Sequence, residues 1–418
     1  MTTPPDLSRL RAVDNAEVYK AGRLAGQLRR ERDDVVFQYA QPYLADPTAP
    51  PVAFTLPKSP APYRATGGSV PAFFAGLLPE GLRLTAITTA TRTSEDDHFS
   101  LLLAVGSDTI GDVQVLPAGT SPTDQPPLFA QTDTATADFA FLFTRATSTD
   151  LGELDRTALP GVQVKVSAQM ISTPISTARG PAILKLNPPE MPFLVENENF
   201  FLDMADACGI RVPDHRLAND RNGRTALFVD RFDRTVAKGE IRRLAQEDAC
   251  QVMGRYPAAK YRITLQEAIK ALAEAVTEGR GSYPLSILQM LEIAAFSYLI
   301  GNGDLHGKNL SVRQTPEGIW EVTPAYDLLS TQPYLSWSDP MALQLFGRDA
   351  KLSYRWWIEA ATRLGIPTRA ISRSLSRIVT AAEPWIDRVP EIGYDERTTH
   401  RLSALIGNRL KELHRPTR

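Results

Sequence analysis

A short polar segment in the C-terminal half of the chain combines residue types that suit phosphoryl transfer. It reads Gly303-Asp304-Leu305-His306-Gly307-Lys308-Asn309, with an asparagine five residues after an aspartate. Phosphoryl transfer needs an aspartate that accepts the proton of the attacking hydroxyl and oxygen ligands that hold Mg²⁺. We therefore predict an ATP- and Mg²⁺-dependent kinase with Asp304 as the catalytic base and Asn309 as a metal ligand.

A second aspartate follows at a distance that fits the same chemistry. Asp327 lies 18 residues after Asn309, beyond a short hairpin predicted from Leu310–Val312 to Trp320–Val322. A metal that bridges the nucleotide phosphates needs such a carboxylate, so Asp327 is the second predicted Mg²⁺ ligand. A polar turn between a helix and a hairpin, with Asp304 and Asn309 only capping it, is the structural alternative.

Two residues between the predicted base and the predicted metal ligand are assigned to the nucleotide. His306 is predicted to contact phosphate or to fix the loop, and its alternative is an ordinary hydrogen-bonded loop histidine. Lys308 is predicted to contact phosphate, with an ordinary surface lysine as the alternative.

A lysine occurs inside an apolar strand, where lysine is unusual unless its ammonium group reaches a partner. Lys185 lies in Ala182-Ile183-Leu184-Lys185-Leu186, and Glu198 follows 13 residues later near the start of a predicted helix. We predict that Lys185 contacts an ATP phosphate and pairs with Glu198. The alternative is a lysine whose stem is buried and whose ammonium reaches solvent.

Two further segments are assigned to the nucleotide. Gly161 to Lys165 is predicted to cover the phosphates with backbone N–H groups and the Lys165 ammonium, although a single glycine makes a weak glycine-rich loop. Asp230 to Phe232 lies where two lobes would join, and there it is expected to meet the adenine.

The N-terminal elements that precede this machinery are mixed. Residues 16–57 are β-rich, residues 70–84 and 98–106 have helical periodicity, and residues 110–116 alternate as a strand. The stretch 117–138 is rich in Thr, Pro, Gln and Asp without periodicity, which indicates a linker.

The elements around the catalytic segment are a small β region followed by helices. Residues 182–186 and 226–229 are predicted strands, and residues 196–208 form a predicted helix that ends at Gly209. From residue 246 the pattern is helical apart from a β-like stretch at 309–325, and the apolar helix 285–300 leads into the catalytic segment.

These elements predict an α+β fold with two lobes, as in protein kinases. The predicted parts are an N-terminal β-rich subdomain (1–117), a linker (118–138), a part with the nucleotide segment (139–235) and a mostly helical lobe (236–418).

Composition narrows the class of protein. The 418 residues carry a net charge of −2, so no basic field points to nucleic acid or an acidic membrane surface. Cys208 and Cys250 have no metal-ligand spacing, which fits a reducing cytosol. The first residues lack the basic and apolar regions of a signal peptide, and 285–300 is shorter than the roughly 20 residues of a membrane span. We therefore expect a cytoplasmic protein with no membrane contact.

In this order the motifs resemble the HipA toxins, serine/threonine kinases of bacterial type II toxin–antitoxin systems. The resemblance covers roughly residues 16–390 and includes an N-terminal motif, Phe73-Phe74-Ala75-Gly76-Leu77-Leu78-Pro79-Glu80-Gly81. The other matching motifs are Pro160 to Lys165, Asn197-Glu198, Ala207 to Pro213, Val229 to Arg234, Gln246 to Gln251, Gly303 to Asn309 and Tyr326-Asp327.

The resemblance completes the predicted site. The predicted nucleotide-binding residues are Pro160, Gly161, Val162, Gln163, Val164, Lys165, Lys185, Glu198, Asp230, Arg231, Phe232, His306, Lys308, Asn309, Tyr326 and Asp327, the metal ligands are Asn309 and Asp327, and the catalytic residues are Asp304 and Lys185.

The resemblance also implies a biological role. Family members phosphorylate an aminoacyl-tRNA synthetase, inhibit translation and cause growth arrest or persistence. A helix-turn-helix antitoxin (HipB-like) neutralises them, and operator DNA is contacted through that partner. The serine that some members autophosphorylate is replaced here by Ala158, beside Thr157, so self-inhibition by that route is not expected.

Two other interpretations stay open at this stage. Aminoglycoside- and choline-kinase-like enzymes share the Gly-Asp-Leu-His-x-x-Asn pattern, but they lack the N-terminal unit. A degenerate kinase that only binds the antitoxin as a co-repressor is the second, and the presence of Lys185, Asp304, Asn309 and Asp327 argues against it.

Overall fold

The computed structural model describes residues 6–122, 136–147, 170–177, 180–237 and 240–414. The predicted nucleotide segment lies outside the described residues, and so do Thr157 and Ala158. This segment comprises Pro160, Gly161, Val162, Gln163, Val164 and Lys165.

The N-terminal unit is an antiparallel sheet covered by short helices. Its strands are β1 (Asn15–Lys20), β2 (Arg23–Glu31), β3 (Asp34–Tyr39), β4 (Tyr63–Ala65) and β5 (Val113–Pro117), in the order β4-β3-β2-β1-β5, and its helices are α1 (Gln41–Ala45), α2 (Ala72–Gly76), α3 (Gly81–Thr91) and α4 (His98–Val105), with a 3-10 helix at Leu7–Ala12. Apolar side chains from the sheet and from α2, α3 and α4 form one core.

The prediction of a single helix over residues 70–84 is wrong. α2 ends at Gly76 and α3 begins at Gly81, with Glu80 extended between them (φ −125°, ψ 170°). The cause is Pro79, which has no N–H to donate and disfavours helical geometry in the residue before it. The break turns the chain and gives Glu80 a position that an unbroken helix would not provide.

A second antiparallel sheet forms the smaller lobe of the catalytic part. After α5 (Phe139–Thr147) come β6 (Ile171–Thr177), β7 (Gly180–Leu186), α6 (Leu194–Ala207), β8 (His215–Asn219) and β9 (Thr225–Asp230), and the strand order is β6-β7-β9-β8. Side chains of a strand alternate between its two faces. Leu184 and Leu186 face the core with α5, whereas Ile183 and Lys185 face the opposite side, toward a cleft.

The remaining chain is mostly helical. Its elements are β10 (Arg234–Ala237), β11 (Glu240–Arg243), β12 (Gln246–Asp248), α7 (Ala249–Val252), α8 (Leu265–Glu278), α9 (Tyr283–Ile300), β13 (Ser311–Gln314), β14 (Trp320–Val322), α10 (Tyr354–Arg363), α11 (Thr368–Ala382) and α12 (Glu396–Leu413), with 3-10 helices at Pro257–Ala259, Glu383–Trp385 and Val389–Ile392. β12, β13 and β14 form one sheet, which contains the predicted hairpin. This arrangement of two lobes confirms the predicted α+β class.

The helix α9 occupies the centre of the helical lobe. It is apolar on all sides, and within the described part of the chain it is long and apolar enough to cross a membrane, yet 67% of it is buried inside the protein. A helix that is hydrophobic all round belongs in a core. It ends at Gly301, whose left-handed backbone (φ 77°) turns the chain directly into the predicted catalytic segment.

Candidate active site

A cleft lies between the smaller lobe and the helical lobe, with the N-terminal unit along one side. It encloses about 1060 Å³, including the part that is open to solvent. Gly76, Leu77 and Ile110 of the N-terminal unit contribute to its lining. The predicted site residues that line it are Lys185, Asp230, Arg231, Phe232, His306, Lys308, Tyr326 and Asp327.

At one end of the cleft the predicted partner of Lys185 is confirmed. The Nζ of Lys185 donates to Glu198 Oε1 at 2.6 Å and to Asp327 Oδ1 at 2.5 Å, and it lies below the surface. Burial alone would lower the pKa of Lys185, but Asp327 and Glu198 outweigh burial and raise the pKa above its ordinary value. The ammonium therefore stays charged and is fixed between two elements that are far apart in sequence.

Asn309 completes this region, which we call the metal end (Lys185, Glu198, Asn309 and Asp327). The Nδ2 of Asn309 donates to Asp327 Oδ2 at 3.2 Å. Among the described residues, the buried Asn309 Oδ1 and Glu198 Oε2 have no hydrogen-bond partner. A buried polar oxygen without a partner is costly, which makes each of them a candidate ligand atom.

The metal end fits Mg²⁺. Mg²⁺ prefers oxygen ligands and is usually held by one or two protein carboxylates together with substrate phosphates, and Asn309 Oδ1 and the Asp327 carboxylate are oxygens of this kind. Asp327 has a left-handed backbone (φ 53°), which aspartate tolerates better than most residues. No larger cluster of acidic, histidine or cysteine side chains suited to a metal occurs in the described ranges, and a site of this type does not need one.

The predicted base, Asp304, lies in a loop held by hydrogen bonds. Its N–H donates to Asn302 Oδ1 at 2.9 Å, and its Oδ1 accepts a hydrogen bond of 2.5 Å from Tyr261 Oη. Gly303 N–H donates to Thr331 Oγ1 at 2.9 Å, and a Cβ at Gly303 would come within 2.2 Å of Asp339 Oδ2. The loop therefore has little room to move, as positioning of an acceptor hydroxyl requires.

His306 and Lys308 are both buried beside this loop. His306 Nδ1 accepts from the Lys308 N–H at 3.2 Å, and its ring packs edge-on against Tyr261. Burial, helped by the charge of Lys260, lowers the pKa of His306 well below its ordinary value, so the imidazole is neutral. The Nζ of Lys308 lies 2.7 Å from Glu80 Oε1 and donates to Gly76 O at 3.3 Å. Phosphate contact by either residue stays a prediction, and the structure shows them fixing the loop.

Charged residues at the junction of the lobes form an ionic network. We call this network the hinge cluster, and it consists of Asp108, Arg231, Asp233, Arg234 and Arg243. Asp233 accepts from Arg231 at 2.8 and 2.9 Å and from Arg234 at 2.7 Å. Asp108 of the N-terminal unit pairs with Arg231, Arg234 and Arg243. Since the guanidinium of Arg231 is paired in this way, the predicted contact with the nucleotide would have to come from the backbone or the aliphatic stem of Arg231.

Three further predicted residues border the cleft near this junction. The Phe232 ring lies 5.7 Å from the Tyr326 ring, and the Tyr326 hydroxyl donates to Lys308 O at 2.6 Å. Burial raises the pKa of Tyr326 well above its ordinary value, which keeps this hydroxyl protonated. Asp230 lines the cleft at the end of β9, and its N–H donates to Asp214 O at 2.8 Å.

Sequence reasoning missed three residues that touch this machinery: Glu80, Tyr261 and Asp248. Asp248 is buried at the start of α7, where it accepts from Gln251 N–H at 2.8 Å, and burial raises its pKa to about 6. Glu80 and Asp248 belong to motifs that were recognised, but these motifs carry no local sign of a catalytic partner. Tyr261 has no signal in the sequence at all.

The chain resembles known proteins along most of its length. The family model described as the HipA-like C-terminal domain matches residues 157–386, and the model described as the HipA N-terminal domain matches residues 16–116. The chain is 31% identical to the Sinorhizobium fredii protein Y4mE over 388 residues, which cover 90% of this chain and 91% of the relative. It is 28% identical to the serine/threonine-protein kinase toxin HipA of Shewanella oneidensis over 346 residues, 77% of each chain.

Among solved structures, a toxin–antitoxin complex resembles the whole fold. It is the toxin–antitoxin complex of HipA with HipB and operator DNA from Shewanella oneidensis, matched with a TM-score of 0.73 at 22% identity. The match covers 95% of this chain and 98% of the other. At that identity the likeness establishes the kinase-like fold with two lobes.

Proposed function

The chain belongs to the HipA family, and from that premise we propose that it is an ATP- and Mg²⁺-dependent serine/threonine-protein kinase and the toxin of a type II toxin–antitoxin system. The observation that carries the proposal is the metal end: a buried, charged Lys185 joined to Glu198 and Asp327, with the unpartnered Oδ1 of Asn309 beside them. This arrangement offers an oxygen atom that can bind a metal, and it places the Lys185 ammonium where it can face the phosphates.

Each residue of the proposed reaction has one task. Lys185 would balance part of the negative charge of the ATP phosphates, and Asn309 and Asp327 would hold Mg²⁺, which would supply further positive charge there. Asp304 orients the acceptor hydroxyl and takes its proton as the oxygen attacks. The Tyr261 hydroxyl, 2.5 Å from Asp304 Oδ1, occupies the kind of position that an acceptor hydroxyl would take.

The biological part of the proposal follows the relatives. We expect the acceptor to be a serine or threonine of a protein, with an aminoacyl-tRNA synthetase as the expected substrate. Phosphorylation would inhibit translation in the cytoplasm and arrest growth. A HipB-like helix-turn-helix antitoxin is the expected partner, and operator DNA would be contacted through the complex of the two. The Shewanella structure of HipA with HipB and operator DNA supports this assembly.

The test is the variant Asp304→Asn, because it keeps the size of the side chain and removes the carboxylate that accepts the proton. Transfer of labelled γ-phosphate from ATP to cell proteins and growth after induction are measured together. We expect both transfer and growth arrest to be lost, while binding of ATP and antitoxin is retained.

Asp387→Asn is the matched control, because Asp387 is exposed in the helical lobe. It should behave as the wild type. If Asp304→Asn still arrests growth fully, the arrest comes from sequestering a partner and the kinase proposal fails. Transfer to a small molecule but to no protein would favour the small-molecule kinase instead.

A further inference from the structure

The N-terminal unit contributes one carboxylate to the base of the catalytic loop. Glu80, in the break between α2 and α3, forms ion pairs with two buried lysines, Lys308 and Lys260. The Lys308 pair is 2.7 Å long, and the Glu80 side chain is 12% exposed. Although burial opposes its charge, Lys308 and Lys260 lower the pKa of Glu80 far below its ordinary value. The carboxylate is therefore ionised between two ammonium groups.

Both lysines belong to the structure that holds the loop. Lys308 lies directly before the predicted metal ligand Asn309, and the carbonyl of Lys260 accepts the Gly307 N–H at 3.0 Å. A Cβ on Gly307 would come within 2.5 Å of Ile263 Cδ1 and 2.9 Å of Cys250 Sγ. Glu80 thus touches the loop from two sides, once through Lys308 and once through Lys260.

The surrounding contacts keep the N-terminal unit in a fixed position against this loop. Gln251 Nε2 donates to Phe73 O at 3.1 Å, and Lys308 Nζ donates to Gly76 O at 3.3 Å. A Cβ on Gly76 would come within 2.6 Å of the Gln251 side chain, so α2 and α7 approach as closely as a glycine permits. Glu80 is consequently presented to the two lysines by a rigid interface.

We infer that Glu80 is a positioning residue for phosphoryl transfer, which holds Lys308 and Lys260 so that Asp304 and Asn309 keep their reacting geometry. The inference rests on the proposed kinase activity. Two ammonium groups and one carboxylate carry a net charge of +1. Without the carboxylate, two unpaired buried cations would repel each other and draw in water, because an uncompensated buried charge is strongly unfavourable. The displacement of Lys308 would be passed to Asn309, its neighbour in the chain.

The first experiment compares Glu80→Gln with the wild type in the full-length protein. We expect kcat for phosphoryl transfer to fall about 10- to 100-fold, since small displacements of reacting groups have effects of this size. KM for ATP should change less than about threefold, because Glu80 contacts none of Lys185, Glu198 and Asp327, which would make most of the contacts with the nucleotide phosphates. Hydrogen exchange should increase for the amides of residues 303–309 and not for those of β1 to β3.

Glu31→Gln is the matched control, because Glu31 is a partly exposed carboxylate of the same unit that pairs with Arg64 and lies away from the loop. It should leave kcat and the exchange of residues 303–309 unchanged. A purely structural role for Glu80 would instead lower the melting temperature and raise exchange throughout the N-terminal unit.

A second variant tests whether repulsion between the two lysines causes the loss of kcat. It also replaces Glu80→Gln as the test if that variant folds poorly. Glu80→Gln combined with Lys260→Met returns the cluster to a net charge of +1, so it should recover at least about fivefold of the lost kcat. Losses of kcat that simply multiply in the double variant would overturn the inference. Wild-type kcat and unchanged loop exchange in Glu80→Gln would do so as well.

The two proposals fail in different ways. If the wild type transfers no phosphate, the proposed function fails, and the exchange of residues 303–309 still decides whether Glu80 holds the loop. If the wild type is active and Glu80→Gln equals it, only the role of Glu80 fails.

Discussion

The metal end and the hinge cluster both consist of buried charges beside the same cleft, yet they differ in how fully the charges are paired. In the hinge cluster, Asp233 Oδ2 alone accepts from Arg231, Arg234 and the Gly111 N–H. At the metal end, Asn309 Oδ1 and Glu198 Oε2 have no hydrogen-bond partner among the described residues.

The difference separates a structural site from a site for a ligand. A buried charge that is completely paired has no capacity left, so it stabilises one arrangement of the chain. A buried oxygen without a partner raises the free energy of the folded protein, unless something else binds to it. Burial of charge therefore does not identify an active site by itself, whereas unpartnered oxygens beside a charged lysine at one end of a cleft point to a site for a ligand. The consequence is that substitutions at the metal end should change rates, and substitutions in the hinge cluster should change stability.

The largest expected effect is at Asp327. Asp327→Asn keeps the size of the side chain and tolerates the left-handed backbone, but it removes the charge that would hold Mg²⁺. We expect phosphoryl transfer to fall at least about 10³-fold, roughly 4 kcal/mol in the barrier, with a nearly unchanged melting temperature. Labelled-phosphate transfer and thermal unfolding measure the two quantities. Near-normal activity in a folded variant would remove the metal assignment.

The second-largest expected effect is at Lys185. Lys185→Met keeps the length of the side chain and removes the ammonium that would face the phosphates, so kcat should fall about 10²- to 10³-fold. Steady-state kinetics, with circular dichroism to verify folding, test this. If the variant merely unfolds, Lys185 is a buried structural lysine, and the contrast with the hinge cluster disappears.

A substitution in the hinge cluster should lower stability and leave the rate nearly unchanged, the opposite of the result expected at the metal end. Asp108→Asn keeps the shape of the side chain but removes a charge shared by three arginines. Breaking buried ion pairs is strongly destabilising, so we expect a loss of about 2–3 kcal/mol in the free energy of unfolding. The kcat of the folded molecules should stay within about threefold of wild type. Chemical denaturation and kinetics at a temperature where both proteins are folded provide the comparison, and a large loss of kcat without destabilisation would contradict it.

The smallest expected effect concerns an incompletely paired acid outside the cleft. Glu247 on β12 is buried, its Oε1 accepts from Phe54 N–H at 2.9 Å, and its Oε2 has no hydrogen-bond partner in the described ranges. Burial raises the pKa of Glu247 to about 8, with Lys20 opposing the shift. The folded protein therefore keeps this proton at pH values where the unfolded chain has released it.

The sign of the pH dependence follows from that shift. The contribution of Glu247 to stability is greatest below about pH 4.3, decreases as pH rises toward 8, and is constant above that value. Glu247→Gln imitates the protonated acid, so the variant should equal the wild type near pH 5 and exceed it by on the order of 2 kcal/mol at pH 8.5. Denaturation of both proteins across this range measures the difference. A constant difference at all pH values would show that the carboxyl group is ionised in the folded state.

Much of the site could be predicted because its parts are local. The loop from Gly303 to Asn309, the hairpin before Asp327 and the lysine within an apolar strand are all visible as short patterns. The pairing of Lys185 with Glu198 was also predicted from the sequence. The two residues are 13 positions apart, on a strand and on the helix that follows it. The proposed roles of these residues in the reaction stay predictions.

What escaped prediction depends on contacts between distant segments. No sequence pattern indicated that the Lys308 ammonium lies beside Glu80, and its contact with phosphate stays a prediction. The pairing of the Arg231 guanidinium with Asp233 and Asp108 was likewise not foreseen, and contact of Arg231 with the nucleotide stays a prediction. The broken helix at residues 70–84 is a different case, because Pro79 was present in the sequence and its effect on the helix was underestimated.

The sequence by itself determined which groups can react and how they are spaced along a strand, a helix or a loop, because backbone geometry turns short spacings into fixed relative positions. Only the tertiary structure decided which buried charges from distant segments neutralise one another. Glu80 and Lys260 are 180 residues apart, and their pairing comes from the packing of α2 against α7. Leaving a buried ammonium unpaired costs several kcal/mol, so it pairs with a carboxylate that packing brings within reach. When that carboxylate comes from a distant segment, as for Lys260, no local pattern specifies it.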